Sequence, residues 1–80
     1  MKLWIGNIAP GTSDDELRAL IEKYGSAAEV VSVQHVADDG PRPAAIVELA
    51  ATTEAANQLT QRLNGMYWKG RSLTVQAMTR

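Results

Sequence analysis

Apolar and polar residues alternate with the period of two that marks half-buried strands in several stretches of the chain, and elsewhere they repeat at helical spacing. Lys2 to Gly6 sets Leu3 and Ile5 against Lys2 and Trp4, and Ala9-Pro10-Gly11 ends the run. The next four polar residues, Ser13 to Glu16, read S-D-D-E, a capping box in which the Ser13 hydroxyl and the Glu16 carboxylate each accept from the other residue's backbone N–H. A helix is therefore predicted from Ser13. Leu17, Leu20, Ile21 and Tyr24 form its apolar stripe, and Gly25 is expected to close it in the left-handed conformation. Ser26 to Ala28 are read as a connection.

Val31 to Val36 alternates again, with Val31 and Val33 predicted inward and Ser32 and Gln34 outward; the same phase turns His35 toward the core edge beside Val33. Asp39-Gly40-Pro41 is a turn signal, so this strand and Arg42 to Leu49 are predicted to form a hairpin. In the segment RPAAIVEL, Pro43, Ala45, Val47 and Leu49 make a core set, leaving Arg42, Ala44, Ile46 and Glu48 outside. Thr52 or Thr53 can cap a second helix that buries Ala56, Leu59 and Leu63 and stops at Asn64-Gly65. After a loop holding Tyr67 and Trp68, Ser72 to Met78 points Leu73, Val75 and Ala77 inward and Thr74, Gln76 and Met78 outward. The predicted order is βαββαβ, an α+β arrangement in which two helices cover one face of a four-stranded antiparallel sheet. The opposite face is left for water or a partner.

Composition narrows the function classes. A chain of 80 residues is read as one domain spanning 1–80, able to bury roughly 60 to 65% of its unfolded surface. Its 45% hydrophobic and 21% charged residues are those of an ordinary globule. No apolar run approaches the roughly 20 residues of a membrane span, and the start MKLWIG lacks the pattern of an export signal, so a cytoplasmic protein with no membrane contact is expected. Zero cysteines exclude a disulfide framework and a thiolate zinc site. His35 has no second ligand or serine-acid partner at a recognisable spacing, and phosphate loops and nucleophile motifs are absent, so neither an enzyme nor a cofactor or metal site is expected.

Four segments carry a resemblance to a known family. LWIGNI at Leu3 to Ile8, RPAAIVEL at Arg42 to Leu49, LNG at Leu63 to Gly65 and GRSLTV at Gly70 to Val75 occur in the order and at the separations found in the RNA recognition motif (RRM). The resemblance spans nearly the whole chain and implies the ferredoxin-like fold, with single-stranded RNA held on the open face of the sheet. The family's octamer on the third strand reads basic-Gly-aromatic-small-aromatic-Val-x-aromatic and turns its odd positions outward. Here the outward aromatic positions fall on Ala44 and Ile46, and the glycine on Pro43. Only Trp4, at the hexamer's aromatic position, keeps a ring on which a base can lie.

A stacked base contributes about 1 to 3 kcal/mol, so two lost rings remove roughly 2 to 6 kcal/mol, a factor of about 30 to 10⁴ in affinity. The hairpin loop Ala37-Asp38-Asp39-Gly40-Pro41 is short and acidic, unlike the longer basic loops with which such domains wrap RNA. In favour of binding, the helical segments Ser13 to Tyr24 and Thr53 to Asn64 carry five acids and three bases, the remainder five bases and four acids, against a net charge of −1 overall. Lys2, Arg42 and Arg80 are the candidate phosphate contacts. Ser32, Gln34, Thr74 and Gln76 are the candidate base-edge contacts, the hexamer's Asn7 is a further candidate RNA-binding residue, and Ala44 and Ile46 make an apolar floor beside Trp4.

Each residue also has a plainer reading. Trp4 can stack a base or simply cover the sheet; Arg42 can hold a phosphate or stand in water; Tyr67 and Trp68 are expected to pack under the loop before the last strand; and Lys69, Arg71 and the acids of the first helix are expected to form a solvated surface. Two functions follow. One is a weak binder of single-stranded RNA, or of chemically similar single-stranded DNA, with little sequence preference; the other is a protein-interaction or homodimerisation module using Trp4, Val36, Ala44, Ile46 and Met78. A further mode in the family, binding of tryptophan-bearing peptides, needs an Arg-x-Phe motif before the last strand, where this chain reads Met66-Tyr67-Trp68. Alanine-rich composition without arginine- or glycine-rich tails suits a free-standing bacterial member.

Overall fold

The computed structural model describes residues 1–25, 28–36 and 40–78. Ala37-Asp38-Asp39, with the two acids of the hairpin loop, Ser26-Ala27 of the connector, and Thr79 with the candidate phosphate contact Arg80 lie outside them. Strand β1 (Lys2–Gly6) leads to helix α1 (Asp14–Tyr24), the hairpin β2 (Glu29–Val36) and β3 (Ala44–Ala50), helix α2 (Thr53–Leu63), a two-residue hairpin β4 (Tyr67–Trp68) and β5 (Arg71–Ser72), and β6 (Thr74–Met78). The main sheet has the order β2-β3-β1-β6, with all neighbours antiparallel.

Local chemistry sets the helix starts. Ser13 Oγ accepts from the Glu16 N–H at 3.2 Å while the Ser13 N–H donates to Glu16 Oε1 at 2.9 Å, which completes the capping box. Thr52 caps α2 by accepting from the Ala55 N–H at 3.1 Å. Both helices then lie on one face of the sheet. Leu17, Leu20 and Ile21 of α1 and Leu59 and Leu63 of α2 join Leu3, Ile5, Val47, Leu49 and Val75 in a single buried cluster.

Several local expectations are corrected by packing. Gly25 is not left-handed but sits at φ −132°, ψ 70°. A Cβ there would meet Leu59 Cδ1 at 2.9 Å and the Ile21 carbonyl at 3.2 Å, so the glycine provides room for α2 to pass the end of α1. Val31 is 58% exposed and Val30 is buried, because the β2–β3 register shifts between Val30 and Ser32. That bulge adds one residue, and the alternation restarts out of phase before it. The segment Ser72 to Met78 is not one strand: Arg71–Ser72 pair with Tyr67–Trp68, and the main sheet resumes at Thr74. Lys69 and Gly70, at φ 53° and 84°, make the tight turn of this hairpin. Trp68 packs on the core as expected, whereas Tyr67, on the other side of the hairpin, is 74% exposed.

The Gly25 contact gives a stability test. Gly25→Ala is expected to lower the unfolding free energy in urea by about 1 to 3 kcal/mol, because Leu59 is itself buried and has little room to move. Gly25→Ala in a Leu59→Ala background should cost much less.

Candidate nucleic-acid interface

Antiparallel pairing places directly opposed residues on the same face, so the register defines the surface away from the helices. Its first row runs Ser32, Glu48, Lys2, Met78; its second runs Gln34, Ile46, Trp4, Gln76. A third row pairs Val36 with Ala44 and Gly6 with Thr74. Eight of the eleven predicted contact residues stand in this array. Lys2, Ser32, Gln34, Thr74 and Gln76 are exposed, and Trp4 and Ile46 are half-buried. Ala44 faces the same way but retains only 3% of its exposure, so it contributes a floor and little free surface.

Trp4 sits at the centre of the second row, on the face opposite α1 and α2. Its indole leans along β1 toward Gly6: a Cβ built on Gly6 would come 2.9 Å from the indole Nε1 and 3.7 Å from Cδ1. Trp4, Gly6, Asn7, Arg42, Ala44 and Thr74 line one open depression. The ring thus has apolar support beneath it and polar groups and a cation at its rim. Lys2 faces a less favourable setting for phosphate, since its cross-strand neighbour is Glu48.

Arg42 and Asn7 lie beyond the strand ends. Arg42 is exposed, but the backbone on either side of it is fixed. Arg71 Nη1 donates to the Pro41 carbonyl at 2.7 Å, and the Ile8 N–H donates to the Pro43 carbonyl at 3.1 Å. The same Nη1 reaches the Ile8 carbonyl at 3.4 Å and Asn7 Oδ1 at 3.5 Å. Arg71 therefore braces two loops against β5, contrary to the solvated role expected from sequence. Asn7 is likewise committed within the protein: it adopts φ 59° and donates from Nδ2 to the Ser72 carbonyl at 2.9 Å. That bond links the end of β1 to the β4–β5 hairpin.

The helix side is also less solvated than expected. Lys69 Nζ pairs with Glu16 Oε2 at 2.6 Å and approaches Thr12 Oγ1 at 3.4 Å. The hydrogen bond from Lys69, with a further one from the Ser13 N–H, holds the Glu16 carboxyl below its usual range. His35 Nε2 meets Asp14 Oδ1 at the start of α1, a partner that spacing in the sequence did not reveal. Among the described residues, no helix is long and apolar enough to cross a membrane.

The model of the RNA recognition motif family matches residues 3–74. The chain belongs to the RNA recognition motif family. No curated protein matches it significantly in sequence. Among solved structures, the third RRM of Pes4 is similar over 99% of this chain and 92% of that one, at 18% identity and a TM-score of 0.83. The Rna15 RRM with bound RNA (GU) covers 99% of this chain and is covered over 83%, at 17% identity and a TM-score of 0.77. The first two RRM domains of the yeast poly(U) binding protein Pub1 match at 18% identity and a TM-score of 0.83, with 100% of this chain aligned to 47% of that one. At these identities the likeness establishes the RRM fold alone.

The Lys69–Glu16 pair generates a titration test. Because the folded carboxyl is depressed, its contribution to stability is present above the unfolded pKa and lost as pH falls through the folded value. Lys69→Met should move the Glu16 midpoint upward toward the ordinary carboxylate range, as followed by side-chain ¹³C shifts; an unmoved midpoint would assign the depression to the helix cap alone.

Proposed function

We propose that this RRM binds single-stranded RNA on the open face of its sheet, with Trp4 as the principal stacking ring. The observation that carries the reading is the position of the indole: mid-sheet, on the helix-free face, in a depression whose rim holds Arg42 and Thr74. Ile46 extends the apolar surface on one side, and Gln76 offers a donor and an acceptor on the other. Gln34, Ser32 and Thr74 supply further hydrogen-bonding groups, and Arg42 and Lys2 supply charge for the backbone, to which Arg80 is added from the sequence. That the Rna15 domain is described with bound RNA and Pub1 as a poly(U) binding protein supports the choice of ligand by analogy.

One ring in place of three makes the binding weak, and the shortage of directional contacts makes it tolerant of sequence. Catalysis forms no part of the reading. Single-stranded DNA offers similar base faces and the same phosphates and is expected to compete. The second reading is a protein or homodimer contact through the same face, for which the row of Ile46 and Trp4 and the half-buried Val36 and Met78 provide an apolar strip.

An amide-shift titration with a pool of short single-stranded RNAs separates the two readings. RNA should shift resonances along β1 and β3, and Trp4→Ala should weaken binding by roughly 5- to 100-fold. Dilution-dependent shifts around Trp4 and Ile46, with RNA leaving the spectrum unchanged, would instead establish self-association. Salt offers an independent check: Arg42→Met should reduce the slope of log K against log[salt] by about 0.7 for each phosphate contact removed.

A further inference from the structure

Gly6 occupies the end of β1, beside Thr74 and buried in the face that carries Trp4. Nothing in its backbone asks for glycine. The glycines with positive φ among the described residues are Gly11, Gly65 and Gly70, whereas Gly6 has a conformation open to any residue. Glycine within a strand forfeits packing and costs chain entropy, so its presence here calls for a reason in space and not in φ. That reason is the indole. A Cβ on Gly6 would lie 2.9 Å from Trp4 Nε1, closer than such contacts are made, and its other near neighbours, Trp4 Cδ1 and the Thr74 carbonyl, stand at 3.7 Å.

We infer that Gly6 is a positioning residue for RNA: by leaving its Cα uncovered it lets the pyrrole edge of Trp4 settle against the sheet, which holds the ring in the pose that receives a base. The inference rests on the RNA-binding reading of Trp4. An alanine at this site meets the free end of a side chain and not the backbone, so the chain accommodates it by turning the indole. Folding is spared because the strand conformation suits alanine. Binding is not spared, because the ring lifts away from Ala44 and Thr74 at the floor and rim of the depression, and a base loses a platform already in place.

The test combines Gly6→Ala with substitutions of Trp4, using the pooled short single-stranded RNAs as probe. Gly6→Ala should keep or raise the urea midpoint, move the Trp4 indole N–H resonance, and weaken RNA binding by roughly 5- to 100-fold, the range expected for loss of one stacked base. In a Trp4→Phe background, where the stacking face is retained but Nε1 is gone, the same Gly6→Ala change should alter affinity by less than about twofold. Wild-type affinity in Gly6→Ala, alongside a large loss in Trp4→Ala, would overturn the inference and leave RNA stacking intact. An equal loss in the Trp4 and Trp4→Phe backgrounds, or a Gly6→Ala chain that fails to fold, would also overturn it, because Gly6 would then act other than through the indole. No effect of Trp4→Ala on binding would remove the RNA reading itself, and this inference with it.

Discussion

The sheet can be dried on one side only, and every other feature follows from that constraint. Leu3, Ile5, Val47 and Val75 are essentially removed from water against Leu17, Ile21, Leu59 and Leu63. Each such side chain contributes about 1.5 to 3 kcal/mol on burial, and a slip of one residue in any strand would send its apolar set to the wrong face. The inner face therefore pins the register. With the register pinned, Lys2, Trp4, Gln34, Ile46, Thr74 and Gln76 have no choice but to face outward. The outward face is a consequence of packing among the core residues on the other side of the sheet.

On that surface the two outward octamer positions carry aliphatic side chains, Ala44 and Ile46. Ala44 and Gly6 leave a hollow at one end of the sheet, and the remaining indole leans into it. Arg71 secures the neighbouring backbone by donating to carbonyls of two separate loops, so Arg42 stands at the rim on a fixed base. The backbone around the indole and Arg42 is fixed by the fold, so this surface is ordered before anything meets it.

The helix side is stitched by charge. Glu16 belongs both to the capping box of α1 and to the ion pair with Lys69, so the start of the helix and the turn between β4 and β5 share one carboxylate. Asp14 similarly meets His35 from β2. Lys69 offsets the charge of Glu16, and both contacts tie the start of α1 to neighbouring elements.

The alternation of apolar residues was enough to place β1, β3 and the inner face, and Ser13 and the Thr52-Thr53 pair were enough to place both helix starts to within a residue, because these signals act between residues a few positions apart. The outward set around Trp4 was legible for the same reason: it is the complement of the core set. What local pattern could not carry was anything that depends on distant segments meeting. The bulge at Val31 answers to the pairing of β2 with β3; the exposure of Tyr67 answers to a hairpin whose turn falls on an unremarkable Lys69; the roles of Asn7 and Arg71 depend on carbonyls of Ser72, Ile8 and Pro41, far away along the chain. Gly25 and Gly6 carry no sign of their neighbours in the sequence, yet a Cβ on one would meet Leu59 and on the other an indole. The order of residues determined which faces exist, since periodicity is a local property. Only tertiary structure decided what each face holds in place, since close approach and long-range hydrogen bonds exist only once the segments have been packed together.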